Sequence, residues 1–305
     1  MKLSLMLATV CDPYMMVFQK KLYQKYWKNE VDEILLNING RNEQIKDFIY
    51  NLWKPECKYI EKNRMMRQGT AFNYLYPNLT GDIVMTMDTD NFIYRRGVIS
   101  DYKVLIENNV YDAIGSIGSH AYPSQLSQFI TNKYGLVRLN PFMSFWRKSI
   151  FDQFEKVEWS SIAWKAGDQY QPLGVIPIDG YAEVMSDLSL QFFYRSNKIL
   201  KIPATKYNEY VHVGGLSSIY RKFFLELEHD QSGYHREDGK SADIYYLIWR
   251  YQIFELTKNE VPFKEYNDKY SEIFENELKQ TRINKQDFDM IIERDKKLFG
   301  DLFLC

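Results

Sequence analysis

Short apolar runs alternate with helix-length amphipathic segments through the N-terminal third of the chain, and this alternation restricts the fold more than any other feature. Each run is followed by polar or turn-forming residues and then by a segment with helical spacing of its apolar residues. We therefore predict βαβ units that form a Rossmann-like, mostly parallel central sheet flanked by helices. The predicted strands are Lys2–Thr9, Glu33–Ile38, Lys58–Glu61 and Asp82–Asp88, and the predicted helices are Tyr14–Lys28, Asn42–Trp53 and Gln68–Tyr76.

The remainder of the chain divides into two parts. Between Tyr111 and Pro203, strand and helix patterns separated by loops predict an extension of the sheet that forms the second half of a cleft. After Gly215 the sequence is charged and helix-compatible, with few strand signals. We predict an α/β domain at residues 1–216 and a helical C-terminal extension at residues 217–305. The further elements expected are a strand at Ala113–Ile117 and helices at Tyr181–Ser196, Ile219–Asp230, Ser241–Lys258, Phe263–Lys279 and Lys285–Phe299.

Composition and charge exclude several classes of protein. A hydrophobic fraction of 45% with 26% charged residues is typical of a globular protein, and no apolar stretch approaches the roughly 18 residues that cross a bilayer. A formal net charge of −1 gives no overall attraction to nucleic acid. The cysteines Cys11, Cys57 and Cys305 lack metal-type spacing, and the first residues lack a secretory cleavage site. We expect a cytoplasmic protein with no transmembrane span and no nucleic-acid partner.

Polar residues follow each of the four N-terminal strands. They occupy 9–12, 37–42, 63–69 and 88–91. Ligands bind beyond the carboxyl ends of the strands in a doubly wound sheet, so we expect these four segments to meet in one crevice.

The fourth predicted strand ends in two closely spaced acids. Asp88-Thr89-Asp90 follows the apolar run Ile83–Met87 directly. Two neighbouring carboxylates favour a divalent cation, and Mg²⁺ or Mn²⁺ commonly shares its coordination between carboxylates and substrate phosphates. A solvated surface turn is the alternative interpretation of so short a motif.

The stretch from Asn63 to Asn91 resembles family 2 and related GT-A glycosyltransferases. The similarity lies in a strand, a helix start at Arg67–Asn73 that contains Gly and Asn, and the pair Gly81-Asp82 before a strand that leads into the D-x-D motif. The resemblance implies that Asp90 is a direct metal ligand and that Asp88 contacts the metal and the sugar or ribose. Arg67, Gly69 and Thr89 in the same stretch are further candidates for binding the nucleotide sugar, with a tight turn as the alternative role of Gly69.

The resemblance also concerns the ends of the first two strands. In the family the first strand ends in residues that frame the nucleotide base, which makes Thr9 and Asp12 candidates. The second strand usually ends in acids, whereas this chain has Asn37 and Asn39. Asn39 is therefore our third candidate, and the departure leaves the identity of the base open.

Two later segments supply further candidates. Asp179–Leu188 resembles the acidic stretch that opens the acceptor-side helix of inverting members, where a carboxylate deprotonates the acceptor hydroxyl. Asp187 is the first candidate for this base and Glu183 the second, with two solvent-facing acids as the alternative. His212 precedes Gly214-Gly215 and corresponds to a histidine that completes the metal site in many GT-A enzymes, although a structural histidine is the alternative.

These features together predict a metal-dependent, inverting glycosyltransferase of carbohydrate biosynthesis. The implied cofactor is Mn²⁺ or Mg²⁺, the donor is a nucleoside-diphosphate sugar, and the acceptor is a glycan, a lipid-linked compound or a protein. The C-terminal helices have three alternative roles: shaping the acceptor site, forming a homo-oligomer, or lying peripherally on a membrane. Two rival functions stay open, a sugar-nucleotide nucleotidyltransferase and a non-catalytic glycan-binding protein.

Overall fold

A computed structural model of the chain describes residues 1–64, 66–118, 121–135, 138–182, 184–213, 216, 240–280, 285–298 and 302. Its strands, in chain order, are β1 (Leu3–Val10), β2 (Glu33–Asn39), β3 (Tyr59–Asn63), β4 (Ile83–Asp88), β5 (Asn91–Ile93), β6 (Ala113–Gly118), β7 (Ala121–Tyr122), β8 (Arg138–Arg147), β9 (Ile162–Trp164), β10 (Gln169–Tyr170), β11 (Gly174–Val175), β12 (Gly180–Ala182), β13 (Ile199–Lys201), β14 (Thr205–Lys206) and β15 (Tyr210–His212).

Helices connect these strands and form the C-terminal region. They are α1 (Pro13–Leu22), continued by a π-helical turn at Tyr23–Trp27, then α2 (Glu43–Trp53), α3 (Gln68–Leu75), α4 (Val98–Glu107), α5 (Ser124–Tyr134), α6 (Lys148–Phe151), α7 (Ser186–Arg195), α8 (Lys240–Thr257), α9 (Lys264–Gln280) and α10 (Lys285–Leu298); a 3₁₀ turn, Tyr76–Asn78, follows α3.

A seven-stranded sheet in the order β3-β2-β1-β4-β8-β6-β13 forms the centre of the molecule. The first four strands are parallel, β8 is antiparallel to both of its neighbours, and β13 is parallel to β6. A small sheet, β14-β15-β5, lies beside the end of β4. The mostly parallel α/β sheet and the helical C-terminal region predicted for a GT-A protein are confirmed.

The two faces of the sheet bury separate clusters because side chains alternate along each strand. On one face, Leu5, Leu7 and Met85 pack with α2 and α4, and on the other, Met6, Leu35 and Val84 pack with α3, α5 and α7. A third cluster joins α1 to β5, β15 and the C-terminal helices. Both faces of β1, β2 and β4 are therefore buried, as their near-continuous apolar sequences predict.

The structure corrects the start of one predicted helix, and a second predicted helix lies outside the described residues. The helix expected at Tyr181–Ser196 begins at Ser186, because residues Gly180–Ala182 pair as β12 with β7 and β9. Met185, the residue before the helix, has a left-handed backbone with φ 66°, so the α-helix does not continue backwards through it. The helix expected at Ile219–Asp230 lies outside the described residues.

The C-terminal helices share the third cluster with the α/β part. Tyr14 of α1 packs edge-on against Phe254 of α8 and Tyr270 of α9, and Phe92 of β5 stacks on Trp249 of α8. The boundary at residue 216 stays a prediction. Among the described helices, none combines the length and the apolar character that crossing a membrane requires.

Candidate metal centre and nucleotide crevice

The carboxyl ends of the four parallel strands bring the predicted polar segments to one edge of the sheet. Strand β4 ends at Asp88, a two-residue turn follows, and β5 begins at Asn91. Strand β15 then pairs antiparallel with β5 and places His212 opposite Asn91. Two distant parts of the chain thus supply Asp88, Asp90 and His212 to one place.

These three side chains form a cluster with the geometry of a cation site. One ligand atom from each lies within 4.8 Å of the others. The His212 Nε2 atom is 3.4 Å from Asp90 Oδ1 and 4.0 Å from Asp88 Oδ2. Two carboxylates and one imidazole are a suitable donor set for a divalent cation such as Mn²⁺, and three protein ligands leave positions for phosphate oxygens. The residues present therefore fit the predicted metal.

The protonation of the cluster reflects the same crowding. Burial, followed by the charge of Asp90, raises the pKa of Asp88 to about 7, against the opposing effects of His212 and the Gln68 amide. Burial lowers the pKa of His212, but its hydrogen bond to Asp90 and the two negative charges outweigh this, and the net shift is upward. A bound cation offsets the repulsion between close carboxylates.

Residues of the central strands and of α3 complete the surroundings of Asp88. The Gln68 side chain, in the first turn of α3, donates a hydrogen bond to Asp88 Oδ1. Arg138, at the start of β8, donates to the carbonyl oxygen of Val184 at 2.6 Å, and its charge also reaches Asp88. The sequence did not identify Arg138 as a site residue, because β8 was not predicted.

Three asparagines lie at the ends of β2 and β3, where the sequence predicts the crevice. Asn37 and Asn39 alternate onto the sheet face that α3 covers, and Asn63 lies in register beside Asn39. Both side-chain polar atoms of Asn37, Oδ1 of Asn39 and Nδ2 of Asn63 are buried without a hydrogen-bond partner among the described residues. Buried amides normally have partners, so these groups indicate that a polar ligand or water completes them.

Thr9 and Arg67 flank the same crevice. Thr9 is buried at the end of β1, where its hydroxyl donates to the carbonyl oxygen of Val10 at 2.6 Å. Arg67 precedes α3 and is exposed, with its guanidinium donating to the Tyr181 hydroxyl at 3.1 Å. Thr89, between Asp88 and Asp90 in the sequence, is also buried. The assignment of these three residues to the nucleotide sugar stays a prediction.

Asp12 and Gly69 have structural tasks that the sequence did not reveal. One oxygen of Asp12 accepts the backbone N–H of Met15 and caps α1, and the other accepts the buried Arg250 guanidinium of α8. This placement favours a structural role over contact with the nucleotide. At Gly69, a Cβ atom would lie 2.4 Å from the carbonyl oxygen of Trp159, so glycine permits close packing there.

The candidate base Asp187 lies in the first turn of α7 and is buried. Its Oδ1 accepts a hydrogen bond of 2.6 Å from the Tyr170 hydroxyl. Burial raises the pKa of Asp187, the nearby charge of Glu158 adds to this, and Tyr170 and Lys156 oppose it. Glu183, the second candidate, lies outside the described residues, as do Gly214 and Gly215.

Backbone contacts connect the start of α7 to the candidate metal site. The N–H of Met185 donates to the carbonyl oxygen of Trp159 at 2.9 Å, and that carbonyl packs against Gly69. Gly69 is the neighbour of Gln68, which contacts Asp88. These contacts join the start of α7, which carries Asp187, to the first turn of α3, which carries Gln68.

Comparisons with known proteins identify similarity of fold alone. No family model matches the chain, and no curated protein matches it. Residues 1–349 of S. aureus TarS with UDP-GlcNAc align over 92% of this chain and 80% of that chain, at 11% identity and a TM-score of 0.46. The mannosyltransferase PcManGT from Pyrobaculum calidifontis with GDP-Man and Mn²⁺ aligns over 98% and 87%, at 10% identity and a TM-score of 0.40.

A third similar structure matches a smaller share of the chain. It is glucosyl-3-phosphoglycerate synthase from Mycobacterium tuberculosis with Mn²⁺, UDP and glucosyl-3-phosphoglycerate, which aligns over 49% of this chain and 57% of that chain at 11% identity and a TM-score of 0.36. At such identities and TM-scores, the function of the present chain must be inferred from its own residues.

Proposed function

We propose that the protein is a metal-dependent glycosyltransferase that moves a sugar from a nucleoside-diphosphate sugar to an acceptor hydroxyl with inversion. The observation that carries this proposal is the convergence of Asp88, Asp90 and His212 at the carboxyl edge of a parallel sheet. Ligands of doubly wound sheets bind at this edge.

Asp90 and His212 would hold the cation, and Asp88 would contribute a third ligand. When bound, Mn²⁺ or Mg²⁺ supplies positive charge that stabilises the departing diphosphate. Without a cation, the carboxylates of Asp88 and Asp90 repel the phosphates of the donor. Donor binding in this location therefore depends on the cation.

The nucleoside lies in the crevice between the ends of β1–β3 and α3. Asn39 offers an uncharged amide there, and Asn37 and Asn63 offer further amide groups that lack partners among the described residues. Amides both donate and accept, which suits the mixed donor and acceptor edge of a nucleobase. Thr9, Thr89 and the exposed Arg67 flank the ribose and the diphosphate.

Asp187 serves as the base that removes the proton from the acceptor hydroxyl. Its raised pKa makes it a stronger proton acceptor than an exposed aspartate, and the Tyr170 hydroxyl holds its carboxylate in one orientation. Direct displacement at the anomeric carbon, on the face opposite the leaving diphosphate, inverts the configuration. Glu183 is the alternative base.

Binding and turnover measurements test this function together. Calorimetry with UDP and GDP, each with and without Mn²⁺, should detect nucleotide binding that requires the metal. Donor hydrolysis with a panel of UDP- and GDP-sugars should follow the same metal dependence. Asp90→Ala should abolish both, whereas Asp101→Ala, which removes an exposed acid of α4, should leave both unchanged.

The rival functions give different results in the same experiments. A glycan-binding protein shows no metal-dependent nucleotide affinity. A nucleotidyltransferase releases pyrophosphate from a nucleoside triphosphate and a sugar phosphate. If Asp90→Ala retained wild-type nucleotide binding and donor hydrolysis in the presence of Mn²⁺, the proposed metal centre would be wrong.

A further inference from the structure

A buried glutamine of α1 contacts the backbone of the turn that carries Asp90. Gln19 is fully buried, and its Nε2 atom donates to the carbonyl oxygens of Thr89 at 2.8 Å and Asn91 at 2.7 Å. A side-chain amide has two N–H donors, so one Gln19 side chain satisfies the two carbonyls that flank Asp90.

The carbonyl of Asp90, between those of Thr89 and Asn91, has a different partner. The backbone N–H of Val213, just after His212, donates to the carbonyl oxygen of Asp90 at 2.9 Å. Three consecutive carbonyls, those of Thr89, Asp90 and Asn91, therefore have fixed partners. Their peptide planes cannot rotate without breaking a hydrogen bond, and this fixes the direction of the Cα–Cβ bond of Asp90.

Packing alone does not explain why residue 19 is a glutamine. It lies among buried apolar residues of α1, and its Oε1 atom has no hydrogen-bond partner among the described residues. An apolar side chain of similar size avoids this unsatisfied oxygen. A residue that breaks the apolar pattern of a buried helix face is expected where function requires it.

We propose that Gln19 is a positioning residue for the metal centre: its amide holds the Asp88–Asn91 turn in the conformation that directs Asp90 towards His212. This inference rests on the proposed function, since it assumes that the cluster binds a divalent cation. Gln19 does not itself contact the cation, and its effect passes through the backbone of the turn.

The test uses Gln19→Met, which keeps the length of the side chain and removes both donors. Mn²⁺ affinity of the nucleotide-free protein, measured by electron paramagnetic resonance, should fall about tenfold, as expected when a group that orients a metal ligand is lost. Hydrogen exchange of the backbone amides of residues 88–92 should become faster. The melting temperature should also fall, because the carbonyl oxygens of Thr89 and Asn91 lose their donor.

Val17→Ala is the matched control in the same helix. Val17 is buried in the third cluster, so its truncation lowers the melting temperature, but the Gln19 amide remains and Mn²⁺ affinity should stay within twofold. Gln19→Asn provides a second test, because its shorter amide cannot reach both carbonyls and should also weaken Mn²⁺ binding.

The outcomes distinguish failure of the proposed function from failure of the role proposed for Gln19. If the wild-type protein binds no Mn²⁺, the proposed function fails. If the wild-type protein binds Mn²⁺ and both Gln19 variants bind it within twofold of wild type, the positioning role of Gln19 is wrong and the metal centre stands. If Val17→Ala weakens Mn²⁺ binding as much as Gln19→Met, the effect is general helix destabilisation and the specific role of Gln19 is also wrong.

Discussion

The imidazole of His212 stacks on the ring of Phe142, with the ring centroids 3.9 Å apart and the planes 9° apart. Phe142 belongs to β8, which pairs with the strand that carries Asp88. The stack and the contact with Asp90 together restrict the imidazole to one orientation, with Nε2 towards the acids. Groups that orient a metal-binding histidine are as much a part of a metal site as its ligands.

Phe142→Leu should weaken metal binding without removing a ligand. Loss of the flat stacking surface lets the His212 ring rotate, and we expect Mn²⁺ affinity to fall about tenfold. Calorimetric titration of the nucleotide-free protein measures the change. Phe145→Leu, a buried residue of the same strand, is the control and should lower stability while it preserves Mn²⁺ affinity; equal affinities for the two variants would contradict the orienting role.

Asp187→Asn should abolish transfer while donor binding persists. An amide cannot accept the proton of the acceptor hydroxyl, so we expect kcat to fall by about 10²- to 10⁴-fold, with unchanged affinity for UDP or GDP in the presence of Mn²⁺. Steady-state kinetics and calorimetry check the two parts. Glu183→Gln, measured in parallel, should have the smaller effect, and the reverse order would make Glu183 the base.

Tyr170→Phe should move the acidic limb of the pH–rate profile upwards. The Tyr170 hydrogen bond lowers the pKa of Asp187 against the raising effect of burial. Its removal therefore raises this pKa further, and the base becomes protonated at a higher pH as the solution is acidified. Profiles of kcat/KM between pH 4 and 8, a range chosen around the ordinary carboxyl pKa, measure the shift, and a limb that does not move would show that Asp187 is not the titrating base.

Glu33→Gln should destabilise the fold without changing the chemistry of the site. Glu33 begins β2 and is buried, and burial alone would raise its pKa. Hydrogen bonds from Ser4, from Thr80 and from the Lys58 ammonium outweigh that effect and hold the pKa well below the usual range. Glutamine cannot replace these charge-assisted bonds, and we expect a loss of about 2 kcal/mol in the free energy of unfolding at pH 7.

The pH dependence of that loss has a defined sign. A carboxyl with a lowered pKa in the folded state stabilises the protein above its unfolded pKa of about 4.3, and the contribution disappears as the pH falls below that value. Urea unfolding at pH 7 and pH 3.5 should therefore show a smaller difference between wild type and Glu33→Gln at the lower pH. A difference that is independent of pH would contradict the charged role of Glu33.

Arg250→Met should destabilise the α/β part as well as the C-terminal helices. Arg250 of α8 is fully buried against Asp12, which caps α1, and removal of one partner leaves the other charge buried at a cost of about 3–5 kcal/mol. Asp12→Asn combined with Arg250→Met should recover part of the loss. Urea unfolding followed by tryptophan fluorescence should show one transition; two separate transitions would mean that residues 217–305 form an independent unit.

Much of the parallel half of the fold follows from local sequence. The apolar runs that became β1, β2 and β4 and the amphipathic segments that became α2 and α3 have the periodicity of their elements, so their order predicts the sheet. The closeness of Asp88 and Asp90 is also a local feature, because both residues lie at or just after the end of the same apolar strand. His212 follows a short strand-like run, which made it recognisable although its partners are distant.

The features that could not be predicted from the sequence depend on contacts between distant segments. Strand β8 lies between β4 and β6 in the sheet, yet its sequence includes Asn140 and Pro141, which do not suggest a central strand. The roles of Gln19 and Phe142 arise only when α1 and β8 meet the D-x-D turn. Asp12 looked like a crevice residue because it follows β1, and its partner Arg250 is separated from it by most of the chain.

The pairing of β15 with β5 also determines when the proposed cation centre is completed during synthesis on the ribosome. The turn with Asp88 and Asp90 emerges well before His212 and Val213, because translation proceeds from the N-terminus. Until β15 has left the ribosome, the carbonyl of Asp90 lacks its Val213 partner and the two acids lack their imidazole. On the proposed function, a nascent chain therefore acquires its capacity to hold a divalent ion late, after the strands β1–β4 have been made.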